Sequence, residues 1–191
     1  MSSVLITPPA AEPVTLADAK AYLRVAHSDD DAVIAALIAG ARSHVEAQTR
    51  RALITQTWRL IRDGWPPDGR IAVTPVPLRS VVAARVYDSG GATHAIDTSA
   101  FAADKAAAPA VLAFAPWTLT EPGRAAAGIE IDVEVGYGGA PANVPESLRQ
   151  ALLLLVAHWY ENRGLIAVGQ SVAVLPMTVA ALIAPYRVLS L

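Results

Sequence analysis

Between residues 129 and 135 apolar and acidic side chains alternate without a break: Ile129, Ile131, Val133 and Val135 interleave with Glu130, Asp132 and Glu134. An extended strand puts every second side chain on one face. The segment therefore predicts an antiparallel strand with a buried apolar face and a wet acidic one. Such a strand needs partners. Residues 53–62, 71–74 and 81–87, rich in β-branched and aromatic side chains, are expected to supply them, with weaker strands near 94–96 and 110–114. Turn clusters at 64–69, 88–91 and 121–123 separate these runs. The alanine-rich stretch 102–108 fits helix and strand alike.

On both sides of this middle the hydrophobic period becomes helical. Residues 1–13 carry three prolines and read as an extended arm. Thr15 and Asp18 have the spacing of a capping box, which predicts a short helix to about Arg24 with Leu16, Ala19, Tyr22 and Leu23 on its buried side. Ser28-Asp29-Asp30-Asp31 opens a longer helix. Ser28 is expected to cap its free N–H groups, and the three carboxylates sit at the positive end of its dipole. Val33, Ile34, Leu37, Ile38, Ala41 and Val45 follow at helical spacing, and Arg42, Arg50 and Arg51 load the far end with positive charge. A third helix is expected from Leu148 to about Asn162, closed by Gly164 and apolar nearly all the way round. A last short helix near 177–184 is broken by Pro185 before the tail. The fold class is then α+β: a helical bundle built from the N- and C-terminal segments, with a β-rich insertion between the second and third main helices. The expected parts are 1–51, 52–143 and 144–191, forming one composite domain because neither helical end can build a core alone.

A chain of 191 residues buries roughly 70% of its unfolded surface and needs no staples. It has no cysteine, which removes disulfides, thiolate metal sites and thiol nucleophiles together. A net charge of −2 argues against a protein that coats nucleic acid. Charged residues make up 17% and hydrophobic ones 53%, which leaves little polar surface for a lone monomer and points to a subunit of something larger. The longest apolar run, residues 151–160, contains His158 and is half the roughly 20 residues a bilayer requires. The first residues lack the basic and apolar regions of a secretory signal, so synthesis in a cytoplasm is expected.

No pattern of catalytic residues stands out. Gly136-Tyr137-Gly138-Gly139 lies between a strand and a helix, but it lacks the lysine and hydroxyl of a phosphate-binding loop, and a tight turn accounts for it better. His158 and Glu161, with His44 and Glu46, lie on two helices. Their His-x-x-Glu order and the scarcity of neighbouring carboxylates argue against a metal site. There is no G-x-S-x-G nucleophile motif. No catalytic, cofactor or metal residues are assigned.

Six segments together resemble one family: 14–25 (VTLADAKAYLRV), 29–38 (DDDAVIAALI), 41–46 (ARSHVE), 53–58 (LITQTW), 144–151 (VPESLRQA) and 158–163 (HWYENR). The chain is similar, from about residue 12 to 187, to the head–tail connector (adaptor) proteins of long-tailed phages, prophages and gene transfer agents. The β-rich middle is its most divergent part. The resemblance implies a structural ring subunit, with twelve copies matching the portal protein. The ring would join the portal to the next neck or tail-completion protein, and DNA would pass through its channel without specific binding. The protein would be made in the host cytoplasm and assembled into the particle neck. Subunits are expected to associate side by side, with Asp29, Asp30 and Asp31 facing Arg50 or Arg51 of a neighbour. The tail residues Tyr186, Arg187, Val188, Leu189 and Leu191 are expected to dock into the portal, the competing reading being a tail folded back on its own helices. Two other functions compete with the ring: a DNA-packaging factor that grips DNA through Arg42, Arg50, Arg51, Arg59 and Arg62, and a small enzyme.

Overall fold

The computed structural model of the chain describes residues 2–162 and 176–189. Its class is α+β, and two compact units divide it. One consists of Met1–Ala10, Thr55–Tyr137 and Val188–Leu191, the other of Ala11–Ile54 and Gly138–Arg187.

The second unit is helical: α1 (Leu16–Leu23), α2 (Asp31–Thr49), α3 (Glu146–Glu161) and α4 (Met177–Ile183). The capping box forms as the spacing predicts. Thr15 Oγ1 accepts from the Asp18 N–H at 3.0 Å, and the Thr15 N–H donates to the Asp18 carboxylate at 3.4 Å. Of the residues expected on the inner side of α1, Ala19 is buried, Leu16 and Leu23 are half-buried, and Tyr22 is exposed. The start of α2 differs from expectation. Asp30 precedes its first turn, and no side chain caps it; Ser28 contributes its carbonyl, which accepts from the Asp31 N–H at 3.1 Å. The buried stripe of α2 is Ile34, Ile38, Ala41, Val45 and Thr49, at steps of three and four residues. Val33 falls one position off that stripe and is exposed.

In α3 the buried residues are Leu148, Ala151, Leu152, Leu155 and Val156. They form one broad stripe, with Leu153 and Leu154 half-buried beside it. The helix packs on α1, α2 and α4. It closes at Asn162, whose side-chain Nδ2 donates to the His158 carbonyl at 2.7 Å. Gly164, the expected stop, lies outside the described residues.

The first unit holds β1 (Ser2–Thr7), β2 (Gln56–Arg62), β3 (Arg70–Val73), β4 (Leu78–Tyr87), β5 (Thr93–Ile96), β6 (Ala102–Asp104), β7 (Ala110–Ala113) and β8 (Ile129–Val135). The larger sheet has the order β1-β2-β8-β4-β5 and the smaller β3-β7-β6; every pairing is antiparallel. The alternation of β8 places all four of its apolar residues in the core, with Leu60 of β2 and Ala84 and Val86 of β4. Near the smaller sheet, the rings of Trp65, Phe101 and Phe114 lie 5.1–6.1 Å apart. The alanine-rich stretch resolves in part as β6. The first residues are more than an arm. Proline begins only at Pro8, so Ser2–Thr7 keeps every N–H and pairs with β2, Val4 opposite Arg59.

Candidate functional site

The face of β8 opposite the core is not the wet acidic surface its sequence suggests. Asp132 is only 8% exposed. The register sets Arg59 of β2 opposite Asp132 and Arg85 of β4 opposite Glu130. Arg59 grips Asp132 with a two-pronged fork, Nε to Oδ1 at 2.7 Å and Nη2 to Oδ2 at 3.0 Å. Arg85 bridges the two acids, Nε to Glu130 at 2.7 Å and Nη2 to Asp132 Oδ2 at 2.7 Å. Arg59 also lies 3.3 Å from Glu130, and Arg79 donates to Glu134 at 2.8 Å. Three arginines from the flanking strands thus neutralise the three acids of the central one. Burial by itself works against the Asp132 carboxylate, but the Arg59 hydrogen bond and the charges of Arg85 and Arg59 outweigh it and hold its pKa below the usual carboxylate range. The bidentate geometry is the strong form of such pairs. Sequence reading missed this ladder. Its signal was present in Arg59 and Arg85, but only the register assigns them to the acids of β8.

The acidic segment before α2 is largely engaged within its own chain. Tyr160 of α3 donates its hydroxyl to Asp30, and Lys20 of α1 pairs with Asp31 at 2.5 Å. Asp29 is strongly exposed, 3.8 Å from His27. At the other end of α2, Arg50 takes the left-handed conformation that closes the helix, φ 55°. Arg51 donates to the Tyr186 carbonyl at 2.7 Å. The expected contact between this acidic triplet and a neighbour's arginines is therefore narrowed to Asp29. A charge already paired at short range gains little by changing partners.

Most arginines of the expected DNA-gripping patch are committed as well. Arg42 sits between Glu12 at 2.8 Å and Glu46 at 3.0 Å, and Arg59 belongs to the ladder. Arg62 donates to the carbonyls of Ile61 and Ala72.

The tail divides. Its first residue is held by Arg51 through the Tyr186 carbonyl, and Arg187 reaches Gln48 at 3.3 Å. Val188 is buried, whereas Leu189 is 84% exposed. Leu191 lies outside the described residues. The part from Tyr186 to Val188 thus follows the folded-back reading, and Leu189 alone among the described tail residues offers an exposed large apolar side chain.

For chemistry the arrangement supplies little. Among the described residues no three His, Asp or Glu side chains converge as metal ligands. His44 lies edge-on to Trp159 at 6.0 Å. The glycine segment is a tight turn: a Cβ on Gly138 would fall 2.4 Å from Asn143, whose Oδ1 accepts from the Ala140 N–H at 3.0 Å. An apolar cleft of about 410 Å³ is lined by Val14, Leu16, Ala35, Ile38 and Pro141, with Glu12 at its rim already bonded to Arg42. No described helix is long and apolar enough to cross a membrane. What the surface does offer is exposed apolar side chains: Val4, Leu5 and Ile6 on β1, Trp117 in the loop after β7, and Met177 at the start of α4.

A family model described as phage gp6-like head-tail connector protein matches residues 13–89 and 124–187. Among solved structures, a chain from the neck of an empty gene transfer agent particle computed with C6 symmetry superposes with a TM-score of 0.84 at 22% identity. A chain from the virion of a native gene transfer agent particle gives 0.83 at 23%. One from the neck of a native particle computed with C12 symmetry gives 0.80 at 24%. Each alignment covers 100% of this chain and 97% of the other. At such identities the likeness is one of fold. No curated protein matches.

Proposed function

Because the chain belongs to the phage gp6-like head-tail connector family, a family of structural proteins rather than enzymes, we propose that its connector role is played as a ring. Copies of the chain stand side by side beneath the portal protein, twelve in the particle, and hold the next neck or tail-completion protein on the opposite side. DNA passes through the middle without being gripped. The observation that carries this reading is the family match on both sides of the β-rich middle, through the segments that contain α1, α2, α3 and α4. The neck chains computed with C6 and C12 symmetry support a ring, since cyclic symmetry is how identical subunits close on themselves. We read the fold in this setting as a helical bundle from both chain ends, carrying the strands as an insertion between α2 and α3.

The charge layout supports passage over gripping. Holding DNA through its phosphates needs cations free to displace counterions. Arg42 and Arg59 are each shared between two carboxylates of their own chain. In this reading Asp29 and the exposed tail residues Arg187 and Leu189 are contact points, the former toward a neighbouring subunit and the latter toward the portal.

The test is assembly on purified portal, followed by electron microscopy and native mass spectrometry. The expected result is a ring of the chain on one end of the portal, twelve copies each. Leu189→Asp should abolish binding without moving the thermal midpoint of the unassembled chain, because the residue it changes is exposed. A wild-type chain that leaves the portal bare would overturn the reading.

A further inference from the structure

The five-stranded sheet ends in two open edges, and they are chemically unusual. All six residues of β1 are exposed, three of them the large apolar Val4, Leu5 and Ile6. On the far side, β5 exposes Thr93, His94 and Ala95. An edge strand presents a row of unpaired N–H and C=O groups. Proteins usually blunt it with lysine, proline, inward charges or a cover. Ser2–Thr7 contains no charged residue and no proline, and Thr93–Ile96 contains no lysine, acid or proline. Two unguarded edges therefore sit at opposite ends of one sheet.

A ring places a definite demand on its subunits. Head-to-tail closure needs two different patches on each copy that fit one another, one at each side. Two such edges on one sheet meet that demand with backbone hydrogen bonds alone, and no charge opposes their approach. Building on the ring reading above, we propose that β1 of one copy pairs with β5 of the next, so that the sheet continues from subunit to subunit around the ring. Strand direction follows from the topology. With every pairing in the order β1-β2-β8-β4-β5 antiparallel, β1 and β5 run the same way. Copies related by rotation about the ring axis then join in a parallel pair. A β1-to-β1 contact would instead be two-fold and would stop at a dimer. The apolar side chains of β1 supply burial beyond the hydrogen bonds, which a parallel pair needs more than an antiparallel one.

The chain has no cysteine, so engineered thiols report cleanly. Leu5→Cys with Ala95→Cys, assembled on portal and mildly oxidised, should give a covalent ladder extending beyond the dimer, since adjacent strands bring such residues within disulfide reach. Each single-cysteine variant should give none. The companion variant, Val4→Lys with Ile6→Lys, should lose ring formation while its unassembled chain melts at the wild-type temperature. Rings of the lysine variant at wild-type yield would overturn the joint and leave the ring reading standing. A ladder that stops at the dimer, or that the Leu5→Cys chain forms by itself, would overturn it in favour of two-fold pairing. Normal rings with lost portal capture in the lysine variant would assign β1 to the portal and likewise overturn it. Absence of rings from the wild type would remove the ring reading, and this joint with it.

Discussion

Strands β8 and β1 belong to one sheet and have opposite characters. The central strand has neighbours on both sides, buries every second residue and has each acid met by an arginine from a flanking strand. The edge strand has one neighbour, buries nothing and carries no charge. The difference teaches where each stores its interactions. In β8 they are spent within the fold, through apolar burial on one face and charge pairing on the other. In β1 the apolar side chains and half the backbone groups are left over, and a leftover edge is a surface for another chain.

The largest effect should separate the two strands by packing. Ile131→Ala in β8 removes a fully buried side chain and should cost about 2–5 kcal/mol in a denaturant titration, as should Leu152→Ala in α3, which is equally enclosed. Val4→Thr in β1 should stay within about 0.5 kcal/mol, the range of exposed positions. A destabilising Val4→Thr of the same size as Ile131→Ala would erase the contrast.

The charge ladder should give the next largest effect. Asp132→Ala leaves Arg59 and Arg85 sharing Glu130 and should cost about 2–3 kcal/mol, the range for hydrogen bonds to charged groups. Glu134→Ala breaks only the more exposed pair with Arg79 and should cost less than about 1 kcal/mol. Equal costs would mean the enclosure of Asp132 counts for nothing.

The smallest effect is a pH dependence, and it tests the same carboxylate. A carboxyl whose pKa is lowered by folding adds stability above its unfolded pKa, near 3.9 for aspartate, and loses it as pH falls through the lower folded value. The stability gap between wild type and Asp132→Asn should therefore hold steady above about pH 5 and close as the pH drops below about 4. A gap that widens in acid would contradict the depressed pKa.

Much of the local structure was legible in the residues. The capping box at Thr15 and Asp18 forms because both partners lie within one helical turn, so no distant contact is needed. The unbroken alternation of 129–135 marks β8 to the residue because period two admits one face for the core. Where the chain offered weaker periodicity, local reading slipped. Ser28 looked like a cap, yet the helix begins at Asp31, where Lys20 and, one residue earlier, Tyr160 hold the carboxylates. Ser2–Thr7 looked like an arm because nothing within it calls for a partner; its partner is β2, more than fifty residues away.

The sequence by itself determined the class of the fold, the identity of its central strand, the lack of thiol chemistry and, through six scattered segments, the connector family. These depend on residue type and spacing along the chain, which are local quantities. Only the tertiary structure decided that the acids of β8 are enclosed, that Arg51 and Tyr186 hold each other, and that the sheet ends in two unguarded edges. Each of these depends on register, on which residue of one strand or helix stands opposite which residue of another. A shift of one residue in β2 would turn Arg59 away from Asp132, yet it would leave the composition and spacing of the chain unchanged.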